Sequence, residues 1–339
     1  MKPNDFSGAR VLVTGGAGFI GSALVWGLNQ HGCENIVVCD LLGTSEKWRN
    51  LAPLRFADYV EADALLPRLQ SGALGKFDLV LHMGACSATT EKDSTYLVKN
   101  NYEFTKDLAV WSLANKTRFV YASSAATYGD GSAGMDDNEF ILDSLRPLNM
   151  YGYSKHLFDL HAKRAGFLNK IVGLKYFNVF GPNEDHKGDM RSLVHKSFAQ
   201  VQHEGVIRLF KSYRPEFKDG EQKRDFLYIK DCVAMTLHLA ATPLANGLFN
   251  IGSGGARSWI DLANAVFAAL GKQPDIKFIE MPAVIREKYQ YFTQANLSRL
   301  REAGYTAPVT SLEDSVADYV RHYLLTDHRL DPADAQTGN

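Results

Sequence analysis

Short runs of consecutive apolar residues, each closed by glycine or a charged residue, mark the first half of the chain. Arg10–Thr14, Asn35–Asp40, Phe77–His82, Phe119–Ala122 and Ile171–Tyr176 read as strands buried on both faces. Between them the apolar positions take helical spacing. Gly18–Gln30 reads as a helix that stops near Gly32, and Ser94–Asn115 and Tyr151–Ala165 as two more. Alternation of this kind predicts an α/β fold, a Rossmann-type doubly wound parallel sheet with right-handed crossovers.

Beyond Phe177 the alternation loosens. Turn formers and charges crowd Gly181–Gly188, and Lys211–Lys223 reads as a long polar loop. Trp259–Leu270 and Leu312–Leu325 carry amphipathic helical patterns. We therefore expect residues 1–176, with a return segment at about 224–250, to form the nucleotide-binding unit. Residues 177–223 and 251–326 are expected to form a smaller, discontinuous substrate domain. The polar stretch 327–339 is expected to fray.

Composition narrows the function. The 339 residues carry a net charge of -1, so no bulk field draws nucleic acid or an anionic membrane. No apolar run is long enough to span a bilayer, and the start of the chain has no signal-peptide pattern, so a cytoplasmic protein is expected. Cys33, Cys39, Cys86 and Cys232 form no Cys-x-x-Cys pair and no zinc-like cluster with histidine, which predicts reduced thiols and no metal.

Candidate chemistry gathers at two places. Gly15, Gly18 and Gly21 follow the first strand and open the first helix. Without side chains there, the backbone turns tightly and a pyrophosphate approaches the helix N-terminus. Asp40 ends the next strand, where a carboxylate accepts from an adenosine ribose. Its charge opposes a 2′-phosphate and argues for NAD. Lys47 and Arg49, just beyond, offset that charge and argue for NADP. Asp63 is either an adenine contact or a plain surface aspartate. Gly84, Ala85 and Cys86 follow the strand that ends at His82 and are expected to line the cofactor.

The second place is Tyr151 and Lys155, one helical turn apart on one face. A free phenol titrates near about 10, and an adjacent ammonium favours the phenolate. That pairing suits proton exchange with a hydroxyl while a hydride moves.

These segments resemble the extended short-chain dehydrogenase/reductase family, whose members act largely on nucleotide sugars. The resemblance covers nearly the whole chain. Its carriers are Gly84–Glu91, Tyr121–Gly129, Pro147–Lys155, Tyr176–Pro182, His186-Lys187-Gly188 and Tyr289–Ala295. The last two segments are similar to a branch that inverts C6″ of an ADP-linked heptose. That reaction proceeds through a transient ketone on the sugar, with one bound NADP or NAD recycled, and its product serves lipopolysaccharide inner-core assembly.

The resemblance implies Tyr151 as acid/base, Lys155 as its partner and nicotinamide-ribose ligand, Ser124 on the reacting oxygen and Lys187 as a second acid/base. It implies further cofactor contacts from Phe19, Ile20, Leu41, Met83, Ser87, Asn100 and Val179. Substrate contacts would come from Ser87, Ser124, Asn178, Lys187, Asp189, Lys196, Phe210, Arg224 and Tyr289, with Arg224 on the diphosphate. A homo-oligomer is also implied.

Departures from the branch are Asp189, Lys196, Leu41 and Leu42, and a longer segment before Arg224 that carries Arg214. Other readings on this fold are a UDP-sugar 4-epimerase and a non-catalytic nucleotide sensor. A 4,6-dehydratase needs an Asp-Glu pair where Ala125-Ala126 stand.

Overall fold

The computed structural model describes residues 5–286 and 289–336. Twelve strands are present among them: β1 (Val11–Thr14), β2 (Ile36–Asp40), β3 (Asp58–Glu61), β4 (Leu79–His82), β5 (Arg118–Ser124), β6 (Val172–Tyr176), β7 (Asn178–Phe180), β8 (Ile207–Phe210), β9 (Lys223–Tyr228), β10 (Gly247–Ile251), β11 (Ala256–Ser258) and β12 (Ile276–Ile279). Seven form one sheet in the order β10-β6-β5-β4-β1-β2-β3. Every pairing in it is parallel.

Helices cover both faces, which is why β1, β2, β4, β6 and β10 are buried along their whole length. One apolar layer joins Leu24 and Leu28 of helix Phe19–Gln30 to Val233 and Leu237 of helix Ile229–Ala241. The other joins Leu65, Leu108 and Phe158 on the opposite face.

Strand order reverses between β1 and β4, so a crevice opens at their C-terminal ends. Glycine is required there. A Cβ on Gly15 would lie 2.6 Å from the Gly84 nitrogen, and one on Gly21 would lie 2.0 Å from the Gly15 carbonyl. Gly15 also has φ of 64°, which favours glycine.

The later half builds two small sheets, β11-β9-β7 and β12-β8. Helix Trp259–Ala269 is held at its start by a Ser258/Asp261 capping box. The return to the large sheet differs slightly from expectation. Residues 223–228 belong to the small sheet as β9, and only helix Ile229–Ala241 and β10 rejoin the large one.

Two helices read as uniform contain π turns, at Val98–Glu103 and Tyr319–Leu324. The first points Asn101 into the core, where it is fully buried. The segment expected to fray is instead docked as far as it is described. Leu330 is fully buried and its N–H donates to Asn183 Oδ1 at 3.0 Å. Trp26 Nε1 donates to the Asp331 carbonyl and Gln30 Nε2 to that of Pro332, each at 3.2 Å. A short 3-10 helix, Pro332–Gln336, follows.

Candidate active site

Helix Phe19–Gln30 starts at Gly18 with no side-chain cap and no acidic residue in its first turn. Its first amides are thus open to an anion, as a pyrophosphate requires. Phe19 and Ile20 lie in that turn. Asp40 sits at the end of β2, 8% exposed. Its Oδ2 accepts from the Ala17 N–H at 2.9 Å and its Oδ1 from the Leu41 N–H at 2.7 Å. Lys47 donates to the same Oδ1 at 2.6 Å. Arg49 pairs with Asp327 at 2.9 Å, so the two cations beyond β2 have separate partners. Asp63 stands exposed in the first turn of helix Ala62–Gln70.

Across the crevice, the Met83 N–H donates to the Thr14 carbonyl and the Gly84 N–H to Thr14 Oγ1 at 3.2 Å. His82, fully buried, joins Thr14 Oγ1 at 2.6 Å and Thr105 Oγ1 at 2.8 Å. Burial, then the Lys155 charge, pulls His82 down to about 3, so it is a neutral hydrogen-bonding post.

Asn101 was not anticipated. Its Oδ1 accepts from the Cys86 N–H at 2.9 Å, while its Nδ2 donates to the Cys86 carbonyl at 2.9 Å and to Ser154 Oγ at 3.0 Å. This ties the loop after β4 to helix Met150–Arg164. Asn100, expected as a cofactor contact, is half-buried and faces Tyr96. Ser87 is exposed and Ala85 half-buried.

Helix Met150–Arg164 is capped by Asn149, whose side chain accepts from the Gly152 N–H at 2.8 Å. A Cβ on Gly152 would lie 2.7 Å from the Ala126 carbonyl, so this glycine lets the helix close on the turn after β5. That approach brings Ser124 beside Tyr151, where its hydroxyl lowers the pKa of the phenol. Lys155, 4% exposed, donates to the Ala122 carbonyl at 2.8 Å.

The direction of the Tyr151 shift differs from expectation. Burial raises it, the Ser124 hydroxyl partly offsets this and the Cys86 charge adds to the rise. Burial also pulls Lys155 down to about 8, against the Asp159 and Cys86 charges, which push it up.

Lys187 lies in a 3-10 turn, Asp185–Met190, with its ammonium 5.0 Å from the Phe19 ring centre. Burial lowers its pKa, the Glu184 charge raises it and Lys196 lowers it. Asn50, also unanticipated, holds this turn against the glycine loop. Its Nδ2 donates to the Ala17 carbonyl at 3.0 Å and the Asn183 carbonyl at 3.1 Å. Asp189 and Lys196 are exposed, and Lys196 is hydrogen-bonded to the Asp189 carbonyl.

Arg224, on β9, is 5% exposed. Its guanidinium lies 4.9 Å from the Tyr289 ring centre and 5.7 Å from that of Trp259. Among the described residues no carboxylate pairs with it. The neighbouring Asp225 turns inward and accepts from Ser253, Gly254 and Ala295. Burial lowers Arg224, and the Tyr289 charge raises it. Trp259 Nε1 donates to the Tyr289 hydroxyl at 2.7 Å. Asn178 opens β7 with Val179 next to it, and Phe210 ends β8: Asn178 accepts from Thr293 Oγ1 at 3.5 Å, and Phe210 pairs with Ile279.

Sheet order, glycine cradle and the Ser124–Tyr151–Lys155 group define a protein of the doubly wound, dinucleotide-binding class. The model of the NAD dependent epimerase/dehydratase family matches residues 11–252, and the chain belongs to that family. Its cofactor is accordingly a nicotinamide dinucleotide, and the open helix start and Asp40 fit one.

Two relatives are named ADP-L-glycero-D-manno-heptose-6-epimerase. The protein of Nitratidesulfovibrio vulgaris is 54% identical, covering 92% of this chain and 97% of the relative. That of Fusobacterium nucleatum is 44% identical, covering 93% and 98%. The crystal structure of the Helicobacter pylori protein of that name is 28% identical, with a TM-score of 0.79 over 94% of this chain and 96% of the other. Among the described residues no group of side chains is arranged to hold a metal ion, and no helix is long and apolar enough to cross a membrane.

Proposed function

We propose that this protein inverts C6″ of ADP-D-glycero-D-manno-heptose to give the L-glycero epimer. The observation that carries the reaction type is the Tyr151–Ser124 contact at the mouth of a nicotinamide crevice. The relatives' names supply the substrate.

A nicotinamide supplies the hydride acceptor and donor. Tyr151 exchanges a proton with the 6″-oxygen, and Ser124 holds both that oxygen and the phenol. Burial makes the phenol the resting form; Lys155, one helical turn on, is the cation that favours the phenolate as it forms. Lys187 approaches from the Phe19 side and serves as the second proton carrier, since the two epimers present the hydroxyl differently. Arg224, buried and with no carboxylate partner among the described residues, holds the diphosphate through its planar donor fork beside the Tyr289 and Trp259 rings. Asn178, Tyr289, Phe210, Asp189, Lys196 and Ser87 complete the substrate side. The remaining cofactor contacts are Gly15, Gly18, Gly21, Leu41, Asp63, Met83, Gly84, Asn100 and Val179.

At the ribose end the Asp40–Lys47 pair is electrically neutral overall, which accommodates the 2′-phosphate of NADP through Lys47 and the hydroxyl of NAD through Asp40. The protein is read as a cytoplasmic homo-oligomer that supplies lipopolysaccharide inner-core assembly. Exposed Tyr96, Val110 and Tyr153 on adjoining helices support the assembly.

Incubation of the purified protein with ADP-D-glycero-D-manno-heptose, without added cofactor, tests this reading by proton NMR. An epimer mixture is expected. No conversion, even with NAD or NADP added, refutes the substrate and turns the search to UDP-sugars. A 4-keto-6-deoxy product refutes the reaction.

A further inference from the structure

Beneath the Ser124–Tyr151 contact lies an ion pair that the chemistry above does not use. Asp159 and Lys175 are both fully buried, with Lys175 Nζ 2.8 Å from Asp159 Oδ2. Asp159 stands one helical turn beyond Lys155, on the same face. Lys175 projects from β6, an otherwise apolar strand. A buried ion pair seldom stabilises more than apolar side chains of equal volume, so stability alone is a poor reason for one here.

Its hydrogen bonds lead to Ser124 from both sides. Asp159 Oδ2 accepts from Ser123 Oγ at 2.8 Å, and Oδ1 accepts from the Tyr121 hydroxyl at 2.7 Å. Lys175 Nζ donates to Thr127 Oγ1 at 2.7 Å, and Thr127 Oγ1 donates to the Ser124 carbonyl at 2.7 Å. The Lys175 ammonium also lies 5.0 Å from the Tyr128 ring centre. Tyr128 is anchored in turn by its hydroxyl to Asn250 Oδ1 at 2.6 Å. Ser123, on one flank of Ser124, and Thr127, on the turn that follows, are thus held by one buried pair.

We propose that Asp159 and Lys175 are positioning residues for the proposed proton transfer, fixing Ser124 at the Tyr151 phenol through Ser123 and Thr127. The assignment rests on the Tyr151 reading above. A second effect of the pair is electrostatic. Asp159 faces Lys155 along the helix, while Cys86 and neutral His82 face Lys155 from the loop and strand at β4. Burial pulls Lys155 down and Asp159 pushes it back, Lys175 not being among the charges that shift it, so removing the pair lowers the pH at which the ammonium is lost.

The test is an Asp159→Asn, Lys175→Met double variant, which leaves the core without net charge, assayed with the ADP-heptose beside wild type and Tyr151→Phe. Wild-type turnover and its loss in Tyr151→Phe report on the proposed function separately. For the double variant we expect kcat to fall about tenfold or more, KM to stay within about threefold, and the alkaline limb of kcat to move to lower pH. Wild-type kcat and an unmoved alkaline limb overturn the proposal, as does a loss of kcat that disappears once the folded fraction is corrected for.

A Ser123→Ala, Thr127→Val variant decides if the double variant does not fold. It keeps the ion pair and its charge but cuts both links to Ser124. Its kcat is expected to fall with the alkaline limb in place, and an unchanged kcat overturns the clamp.

Discussion

The Lys47 ammonium sits 2.6 Å from Asp40 Oδ1, so the carboxylate that ends β2 is already neutralised by a side chain seven residues on. A 2′-phosphate placed beside Asp40 alone would meet like charge; beside the pair it meets a cation.

Lys47→Ala removes that cation and leaves Asp40 with only its two backbone donors. We expect the Kd for NADP to rise by about tenfold or more, as for a lost charge-assisted hydrogen bond, and that for NAD by less than about threefold. Fluorescence titration of cofactor-stripped protein with both dinucleotides measures this. Equal loss for both means that Lys47 does not read the phosphate.

Arg224 makes a parallel case on the substrate side. Its Nη1 donates to the Lys223 carbonyl at 3.0 Å, and with no carboxylate partner among the described residues its other donors are left for a phosphate. Arg224→Lys keeps the charge but loses the planar fork and the stacking. KM for the ADP-sugar should rise by about tenfold or more while kcat changes by less than about threefold, in steady-state assays. An unchanged KM removes Arg224 from the diphosphate site.

Lys155 sets a pH dependence whose activity and stability parts have opposite signs. Its folded value of about 8 lies below that of the free side chain, with burial as the main cause. Activity that needs the ammonium should therefore decline as pH rises through about 8. Below that pH both folded and unfolded chains hold the proton. Between about 8 and about 10.4 the unfolded chain binds it and the folded chain does not, so this group's contribution to stability rises with pH. A kcat–pH profile alongside urea midpoints checks both signs. A kcat flat to pH 10 would show that the charge on Lys155 is not required.

Much of this arrangement was legible from residue order. Buried parallel strands are apolar on both faces, so β1, β2, β4 and β6 appear as runs, and glycine punctuation marks the turns. Tyr151 and Lys155 stand out by helical spacing once the glycine-rich turn at Gly15 and the Ser123-Ser124 pair are read with them. Asn50 and Asn101 do not, because a single asparagine carries no period, and the π turn that aims Asn101 inward has no pattern. Lys175 did leave a signal: a lysine within an otherwise buried strand must find a counter-charge, although nothing local names Asp159. The pairing of β8 with β12 joins segments whose intervening chain includes β9, β10 and β11, and polar composition hid the docking of the last segment.

That last segment is also where truncation tells most. Arg329, 11% exposed at its side chain, lies 3.4 Å from Asp185, at the start of the turn that carries Lys187. Asp185 is also bonded to His195 Nε2 at 3.1 Å. Leu330 is bonded through its N–H to Asn183, whose Nδ2 donates to Ser22 Oγ at 3.0 Å in helix Phe19–Gln30. The strap therefore fastens the Lys187 turn to the glycine-rich helix. Ending the chain at Thr326 should expose the part of the apolar core that Leu330 covers, costing about 1.5–3 kcal/mol of stability for that side chain. Because the strap holds Lys187 and not Tyr151, the truncated protein should lose kcat by about tenfold at a temperature where it is fully folded. Adding Lys187→Met to it should then lower kcat much less than the same change does in the full chain. Fully additive losses in that cycle would show that the strap acts on stability alone.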